Sequence, residues 1–431
     1  MNICVVGTGY VGLVSGACLA EFGNHVNCVD KDEAKIARLR SGGIPIYEPG
    51  LDDLVQRNAK AGRLTFTTDL PRGIREALVV FIAVGTPQGE DGRADLAAVR
   101  EVAQSVAEQL NSYKVVVTKS TVPAGTGRMI RAIIEERRSE EHPVSVASNP
   151  EFLREGSAIE DFMRPNRIVI GTEDEMAAAI LKDLYRPLYL IETPIVFTDL
   201  LTAELIKYAS NAFLATKISF INEMADLCEA LGADVHVVAR GMGLDRRIGP
   251  KFLHAGPGYG GSCFPKDTRA IVQVAEDRGV DLRIVRSAID VNRSRVPRML
   301  DKIREALGGQ FEGRTVGLLG LTFKPNTDDL RESPAIGVLE GLLDAGARVR
   351  AYDPVAAAPV RADLTRAADE YDAATTADAL VIATEWNQFR SLDLERLKRL
   401  LGSPVVVDLR NVYDPRTMRS KGFVYYSVGR P

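Results

Sequence analysis

The sequence predicts an α/β protein built as two doubly wound parallel-sheet domains joined by a long central helix. Three observations carry that expectation. Short β-rich runs alternate with helical stretches over about the first 195 residues. From Thr198 apolar residues recur at helical spacing for about thirty residues without a Pro or Gly. The βα alternation then starts again at Thr315.

Ile3 to Val6, His25 to Asp30, Leu64 to Thr67, Leu78 to Val84, Lys114 to Lys119 and Val144 to Ser148 read as strands. Their near-continuous apolar character implies a parallel sheet covered on both faces. Such sheets bind ligands at the carboxyl ends of their strands. The loops there are GTGYVG, GTPQGEDG, KSTVPAGTG and NPEFLREG, and the chemistry is expected among them. The helical run that follows has Asp199 as N-cap and Gly232 as its stop. At 1.5 Å per residue it would be about 45–50 Å long, too long for one compact domain. It reads as a spine that links two domains and helps to pair two subunits, with further helices to about Gly308. Thr315 to Gly320 then reads as a strand, Pro334 to Ala345 as a helix, and Ala347 to Asp353, Leu380 to Thr384 and Val405 to Leu409 as strands. The expected division is 1–196, 197–308 and 309–431.

Composition narrows the class. With 45% hydrophobic and 26% charged residues the chain reads as an ordinary globular protein. A net charge of −4 lacks the basic excess of a nucleic-acid scaffold. The N-terminal MNICVVGTGY reads as a buried strand entering a glycine turn, not as a signal peptide. No charge-free run reaches the roughly 18 residues of a membrane span, so the expectation is a cytoplasmic protein with no membrane or nucleic-acid partner. Five scattered Cys without a CxxC argue against a disulfide framework, and four dispersed His argue against a metal site.

Gly7, Gly9 and Gly12 form G-x-G-x-x-G directly after the first strand. The first glycine permits the tight turn, the second lets backbone approach a pyrophosphate, and the third allows close packing of the next helix. The second strand ends at Asp30, an acid able to bond both ribose hydroxyls and to repel a 2′-phosphate. This Rossmann-like arrangement predicts NAD in preference to NADP, although Lys31 and Lys35 lie near the acid.

Cys4 and Cys28 fall in strands and Cys18 and Cys228 in helices, where a core role is expected. Cys263, in GPGYGGSCFPKD, differs. Gly256, Gly258, Gly260 and Gly261 are expected to form a flexible loop that presents it, and Pro265 to start the helix that follows. A thiol just before a helix N-terminus and beside Lys266 is stabilised as thiolate. A nicotinamide fold with a reactive thiol suggests alcohol oxidation, capture of the aldehyde as a hemithioacetal, a second oxidation to a thioester, and hydrolysis. Lys207 and Asn211, an i,i+4 pair on the spine, are candidate donors to the developing oxyanion. Glu151 is the candidate acid/base, and Thr121 helps to hold water. Each has a plain alternative when taken singly: a solvated Lys or Glu, a capping Asn, a loop-shaping Thr.

GTGYVG, EPGL, VGTP, KSTVPAGT, NPEFLREG, LIKYASNAF, GPGYGGSCFPKD and LTFKPNTDDLRESP occur in order from end to end. In these the chain resembles the UDP-glucose branch of the UDP-glucose/GDP-mannose dehydrogenase family. The resemblance implies oxidation of UDP-glucose to UDP-glucuronate by NAD, with Cys263 as nucleophile supported by Lys207, Asn211 and Asp267, and with Glu151 and Thr121 as acid/base and water-positioning residues. It implies cofactor contacts at Gly7, Gly9, Tyr10, Val11, Gly12, Asp30, Lys35, Thr86, Thr121, Glu155, Lys266 and Arg331. For the sugar nucleotide it points to Glu151, Phe152, Leu153, Lys207, Asn211, Phe252, Tyr259, Gly260, Cys263, Phe323, Lys324 and Arg410. Arg247 matches an arginine reaching across from a partner subunit, which implies a homodimer or a larger homo-oligomer.

Rival readings are a GDP-mannose or UDP-N-acetylhexosamine dehydrogenase, a two-electron hydroxyacid dehydrogenase, and a subunit that binds sugar nucleotides without turnover. GGSC departs from the GGHC loop associated with the N-acetylhexosamine enzymes, and RRIGPKFL favours the UDP-glucose branch. Cys263 and Lys207 are both present, which a non-catalytic subunit would not need.

Overall fold

Alternate side chains of the first strand, β1 (Asn2–Val6), enter two separate cores. Ile3 and Val5 join one, Cys4 and Val6 the other. A strand covered by helices on both faces requires this alternation. The computed structural model describes residues 1–89, 92–138, 142–357 and 363–431. They form two units, Met1–Ser210 with Gln273–Arg278, and Asn211–Val272 with Gly279–Pro431.

The first unit continues with β2 (His25–Val29), β3 (Leu64–Thr67), β4 (Val79–Ile82), β5 (Lys114–Thr118), β6 (Val144–Ser148), β7 (Ile168–Gly171) and β8 (Ile195–Thr198). Their order in the sheet is β3-β2-β1-β4-β5-β6-β7-β8. All neighbours are parallel except β6 and β7, which meet antiparallel at Ser148 and Gly171. The order reverses between β1 and β4, which opens a crevice at their carboxyl ends. The six expected strands are present, with ends within two residues of expectation. β7 and β8 were not foreseen. β8 lies at the sheet edge with Val196 and Phe197 exposed, so it lacks the two-faced apolar pattern of its neighbours.

The long helix runs Leu200–Leu231, 32 residues, beginning in the first unit and ending in the second. Both expected ends hold. Thr202 donates its N–H to Asp199 Oδ1 at 3.0 Å, and Gly232 follows the helix at φ +73°. The second unit's sheet contains β9 (Thr315–Leu319), β10 (Arg348–Tyr352), β11 (Leu364–Arg366), β12 (Ala379–Ile382), β13 (Val405–Asp408) and β14 (Val424–Ser427). Its order is β11-β10-β9-β12-β13-β14, parallel throughout. β11 and β14 were not foreseen, being short strands at the two edges. Ile221, Ala225 and Cys228 of the long helix pack into this unit's core with Val316 and Leu318.

Candidate active site

The glycine turn is built by close approach of backbone. Gly7 has φ +101° and donates its N–H to Val29 O at 2.7 Å. A Cβ on Gly12 would sit 1.9 Å from Gly7 O, and one on Gly7 would sit 2.6 Å from Ala83 O. Nothing lies within 4 Å of a Cβ on Gly9, whose position begins the helix Tyr10–Glu21. Two glycines are therefore required by packing, and the third faces open space at a helix N-terminus, where a pyrophosphate fits.

Asp30, just past β2, completes this arrangement. Its Oδ2 accepts from Thr8 N and Oγ1, each at 2.8 Å, and from Lys35 Nζ at 3.1 Å, while Oδ1 accepts from Asp32 N. Burial raises its pKa, but these hydrogen bonds outweigh burial and hold it below the usual carboxylate range. An ionised acid at this point fits the ribose of NAD and opposes a 2′-phosphate. Lys35 bonds the acid itself, while Lys31 pairs at the surface with Glu101 at 3.9 Å. At the same place in the second sheet Asp353 is consumed internally. It accepts from Leu321 N, Thr322 N and Trp386 Nε1 on one oxygen and from Val355 N and Ala356 N on the other.

Further along the first unit, Thr86 donates to Thr121 O at 2.9 Å, so two expected cofactor residues meet in one loop pair. Of the GTPQGEDG loop, Glu90 and Asp91 lie outside the described residues. Tyr10 bonds the buried Glu48 of EPGL, and Glu48 accepts from Gly156 N at 2.6 Å and Ala158 N at 2.7 Å. Glu48 thereby holds the end of the loop that carries Phe152, Leu153 and the half-buried Glu155. Glu151 pairs with Lys207 at 2.9 Å, both side chains 4% exposed, and its other oxygen accepts from Leu153 N at 2.5 Å. The Phe152 ring has the guanidinium of Arg167 3.4 Å from its centroid on one side and Lys207 Nζ at 5.4 Å.

In the second unit Cys263 is half-buried at the residue before the helix Phe264–Glu276. Asp267 N donates to Cys263 O at 2.8 Å, and the buried Asp267 carboxylate accepts from Asn211 Nδ2 and Lys266 Nζ, each at 2.6 Å. Lys266 thus spends its charge on Asp267. The loop before Cys263 corrects an expectation, for it is buried and latched instead of flexible. Gly256 N donates to Asn222 Oδ1 at 2.8 Å, and the buried Arg295 donates to Gly256 O at 3.2 Å. Asn292 grips Tyr259 by both its main-chain N–H, at 2.8 Å, and its C=O, at 3.0 Å. The glycines serve close contact: a Cβ on Gly260 would lie 2.2 Å from Glu332 O, and one on Gly261 2.7 Å from the Phe323 ring.

Other expected residues also fall in this unit. Tyr259 meets Phe264 edge-on at 6.0 Å, and Phe252 lies 6.0 Å from the same ring. Arg410 donates to Phe323 O at 2.8 Å and Ala383 O at 2.9 Å, and Lys324 Nζ lies 5.4 Å from the Phe323 ring. Arg331 chelates Asp329 while its own carbonyl accepts from Gly261 N. Arg247 is exposed and paired with Asp245, apart from these groups. Lys119, Arg167, Glu48, Asn222, Asn292 and Arg295 were missed. Glu48 lies in the EPGL loop, and each of the others is a single polar residue in a run that by itself reads as strand end or helix surface. Among the described residues no His, Cys, Asp and Glu cluster able to hold a metal occurs, and no helix is long and apolar enough to cross a membrane.

Comparison with known proteins agrees with this geometry. Residues 1–189 match the NAD binding domain of the UDP-glucose/GDP-mannose dehydrogenase family, residues 201–294 its central domain, and residues 317–415 its UDP binding domain. The UDP-glucose 6-dehydrogenase of Rhizobium meliloti is 56% identical over 437 residues, covering 100% of both chains. One from Bacillus subtilis is 49% identical, over 100% of this chain and 93% of its own. Among solved structures, a UDP-glucose dehydrogenase from Pyrobaculum islandicum superposes with TM-score 0.92 at 41% identity, covering 100% of this chain and 98% of that one. A UDP-D-ManNAc dehydrogenase from Pyrococcus horikoshii gives 0.88 at 28% identity, covering 100% and 99%. With three family domains in order and full-length identity of this degree, the chain belongs to the UDP-glucose/GDP-mannose dehydrogenase family of NAD-dependent oxidoreductases.

Proposed function

We propose that the chain oxidises the C6 hydroxymethyl of UDP-glucose to the carboxylate of UDP-glucuronate, a four-electron reaction that passes through a thiohemiacetal and a thioester on Cys263. For the sugar, the observation that carries the reading is 56% identity over the whole chain to a UDP-glucose 6-dehydrogenase. The covalent route is supported by a half-buried thiol at a helix start, beside a buried Asp267 that orients Asn211. Bound NAD supplies the hydride acceptor for both oxidations. Gly7, Gly9, Gly12 and Asp30 hold it, with Tyr10, Val11, Lys35, Thr86, Thr121, Glu155, Lys266 and Arg331 around it.

Glu151, paired with Lys207, takes the proton of the C6 hydroxyl and, with Thr121, directs the water that cleaves the thioester. Lys207 and Asn211 donate to the oxygen that becomes negative when the thiolate adds. Phe152, Leu153, Phe252, Tyr259, Gly260, Phe323, Lys324 and Arg410 bind the sugar nucleotide. Overall, one alcohol, one water and two NAD give one carboxylate, two NADH and protons.

The proposal includes a homodimer or larger homo-oligomer. Phe213, Phe220 and Leu227 follow one another at seven-residue spacing on the long helix, with 66%, 42% and 49% exposure. A heptad stripe of this kind suits a second copy of the helix. The exposed Arg247 is assigned to the partner's site. A cytoplasmic location belongs with this reading, because a reducing compartment keeps an unpaired thiol such as Cys263 free.

Incubation with NAD and a panel of UDP- and GDP-sugars tests the reaction. About two NADH per UDP-glucose are expected. Cys263→Ala is expected to abolish UDP-glucuronate while NAD still binds, and rapid UDP-glucuronate formation by that variant would sink the covalent route. A better yield from GDP-mannose or a UDP-N-acetylhexosamine would reassign the sugar.

A further inference from the structure

Lys119 lies immediately after β5 and is 5% exposed. Its Nζ donates to Asn149 Oδ1 at 3.0 Å and to Tyr185 Oη at 3.3 Å. The rings of Phe162 and Tyr185 lie 5.6 and 5.8 Å away. Neither hydrogen-bond acceptor is charged, which is a costly setting for a cation. An apolar side chain of similar volume would fill the same space without that cost.

Asn149 ties this ammonium to the proposed chemistry. Its Nδ2 donates to Val169 O at 2.8 Å, its N–H to Thr118 O at 2.9 Å, and its Oδ1 also accepts from Tyr185 at 2.5 Å. Glu151 follows two residues later. Lys119, Asn149, Glu151 and Arg167 line one cavity of about 40 Å³. Asp161 borders it too, but its oxygens are held by Arg154. Three cations (Lys119, Arg167 and Lys207) thus surround the one carboxylate of Glu151.

Resting on the roles assigned to Glu151 and Lys207 above, we propose that Lys119 is a positioning residue. Through Asn149 it fixes the backbone that carries Glu151. Its charge, added to those of Lys207 and Arg167, favours the anionic oxygen that forms on the reacting carbon. Burial pushes the Lys119 pKa down to about 8, with Glu151 raising it and Lys207 lowering it further. The nearby Cys18 thiol, pushed up by burial to about 12, is neutral across the working range. Above about pH 8 the site therefore loses a positive charge.

The test measures UDP-glucose turnover by the full chain between about pH 6.5 and 9.5. Lys119→Met is expected to lower kcat by roughly 10- to 100-fold, with KM for UDP-glucose within about threefold and the alkaline limb near pH 8 gone. Tyr185→Phe keeps the ammonium but removes one acceptor, and is expected to move that limb to lower pH. A parent-like kcat and limb in Lys119→Met overturn the proposal. Should that variant fail to fold, an unmoved limb in Tyr185→Phe does the same. A readout without turnover is the ¹³Cε signal of Lys119 in lysine-labelled protein, expected to titrate near pH 8 and at lower pH in Glu151→Gln. No change in that variant overturns the link between Lys119 and Glu151 whichever sugar is oxidised. Absence of NADH from UDP-glucose in the parent chain, with the lysine shift intact, sinks the assigned reaction and not the link.

Discussion

Asp30 is the single residue to which the proposal assigns cofactor choice. Its carboxylate accepts four hydrogen bonds, and two of them come from Thr8 in the glycine turn itself. Asp30→Ser is expected to weaken NAD binding about tenfold, since a charge-assisted hydrogen bond contributes roughly 1.5–3 kcal/mol. Relative use of NADP should rise, and initial rates with both cofactors measure it. Unchanged preference would mean that another group reads the ribose. Asp30 was legible in the sequence because its meaning is local: a strand end about twenty residues past a glycine turn. Lys119 was not. A lysine after an apolar strand ordinarily reads as solvated, and its partners Asn149 and Tyr185 lie 30 and 66 residues away.

At the scale of elements, the turn into the helix Tyr10–Glu21 leaves no room for a side chain. Gly12→Ala places a methyl 1.9 Å from Gly7 O, a backbone atom that no side-chain rotation can move away. The helix must move off the sheet, at a cost of about 1–3 kcal/mol in stability. NAD affinity is expected to fall more than tenfold, read by calorimetry beside a thermal midpoint. A second element carries a pH dependence. The buried Glu204 of the long helix accepts from Gly125 N at 2.6 Å and Gly127 N at 2.7 Å, capping the helix Thr126–Arg137. Burial raises its pKa to about 7 against the opposing pull of these amides. A carboxyl raised on folding stabilises fully below its unfolded pKa of about 4.3 and ceases to as pH rises through 7. Relative to Glu204→Gln, the parent should lose on the order of 3 kcal/mol between about pH 4 and 8. Denaturant midpoints across that range check it, and parallel curves would refute it. The helix ends at Asp199 and Gly232 were readable in advance, because caps are short-range. Edge strands β8, β11 and β14 were not, because their pairing on one side leaves no two-faced pattern to read.

For the whole molecule, the exposed Phe213, Phe220 and Leu227 predict self-association. Phe213→Glu with Phe220→Glu is expected to shift the chain toward monomer in analytical ultracentrifugation, with UDP-glucose turnover falling if Arg247 completes a partner's site. An unchanged sedimentation coefficient would remove this face from the interface. The sequence by itself determined the α/β class, the glycine turn with its acid, the span of the long helix and the thiol at a helix start. All of these are written in spacings of a few residues, where backbone geometry and periodicity leave few alternatives. Tertiary structure decided the rest. It made the glycines before Cys263 tight contacts instead of hinges, and it buried Lys119 against Asn149 and Tyr185. Those outcomes depend on which distant backbone comes within 3 Å, and hydrogen-bond partners far apart along the chain leave no local pattern.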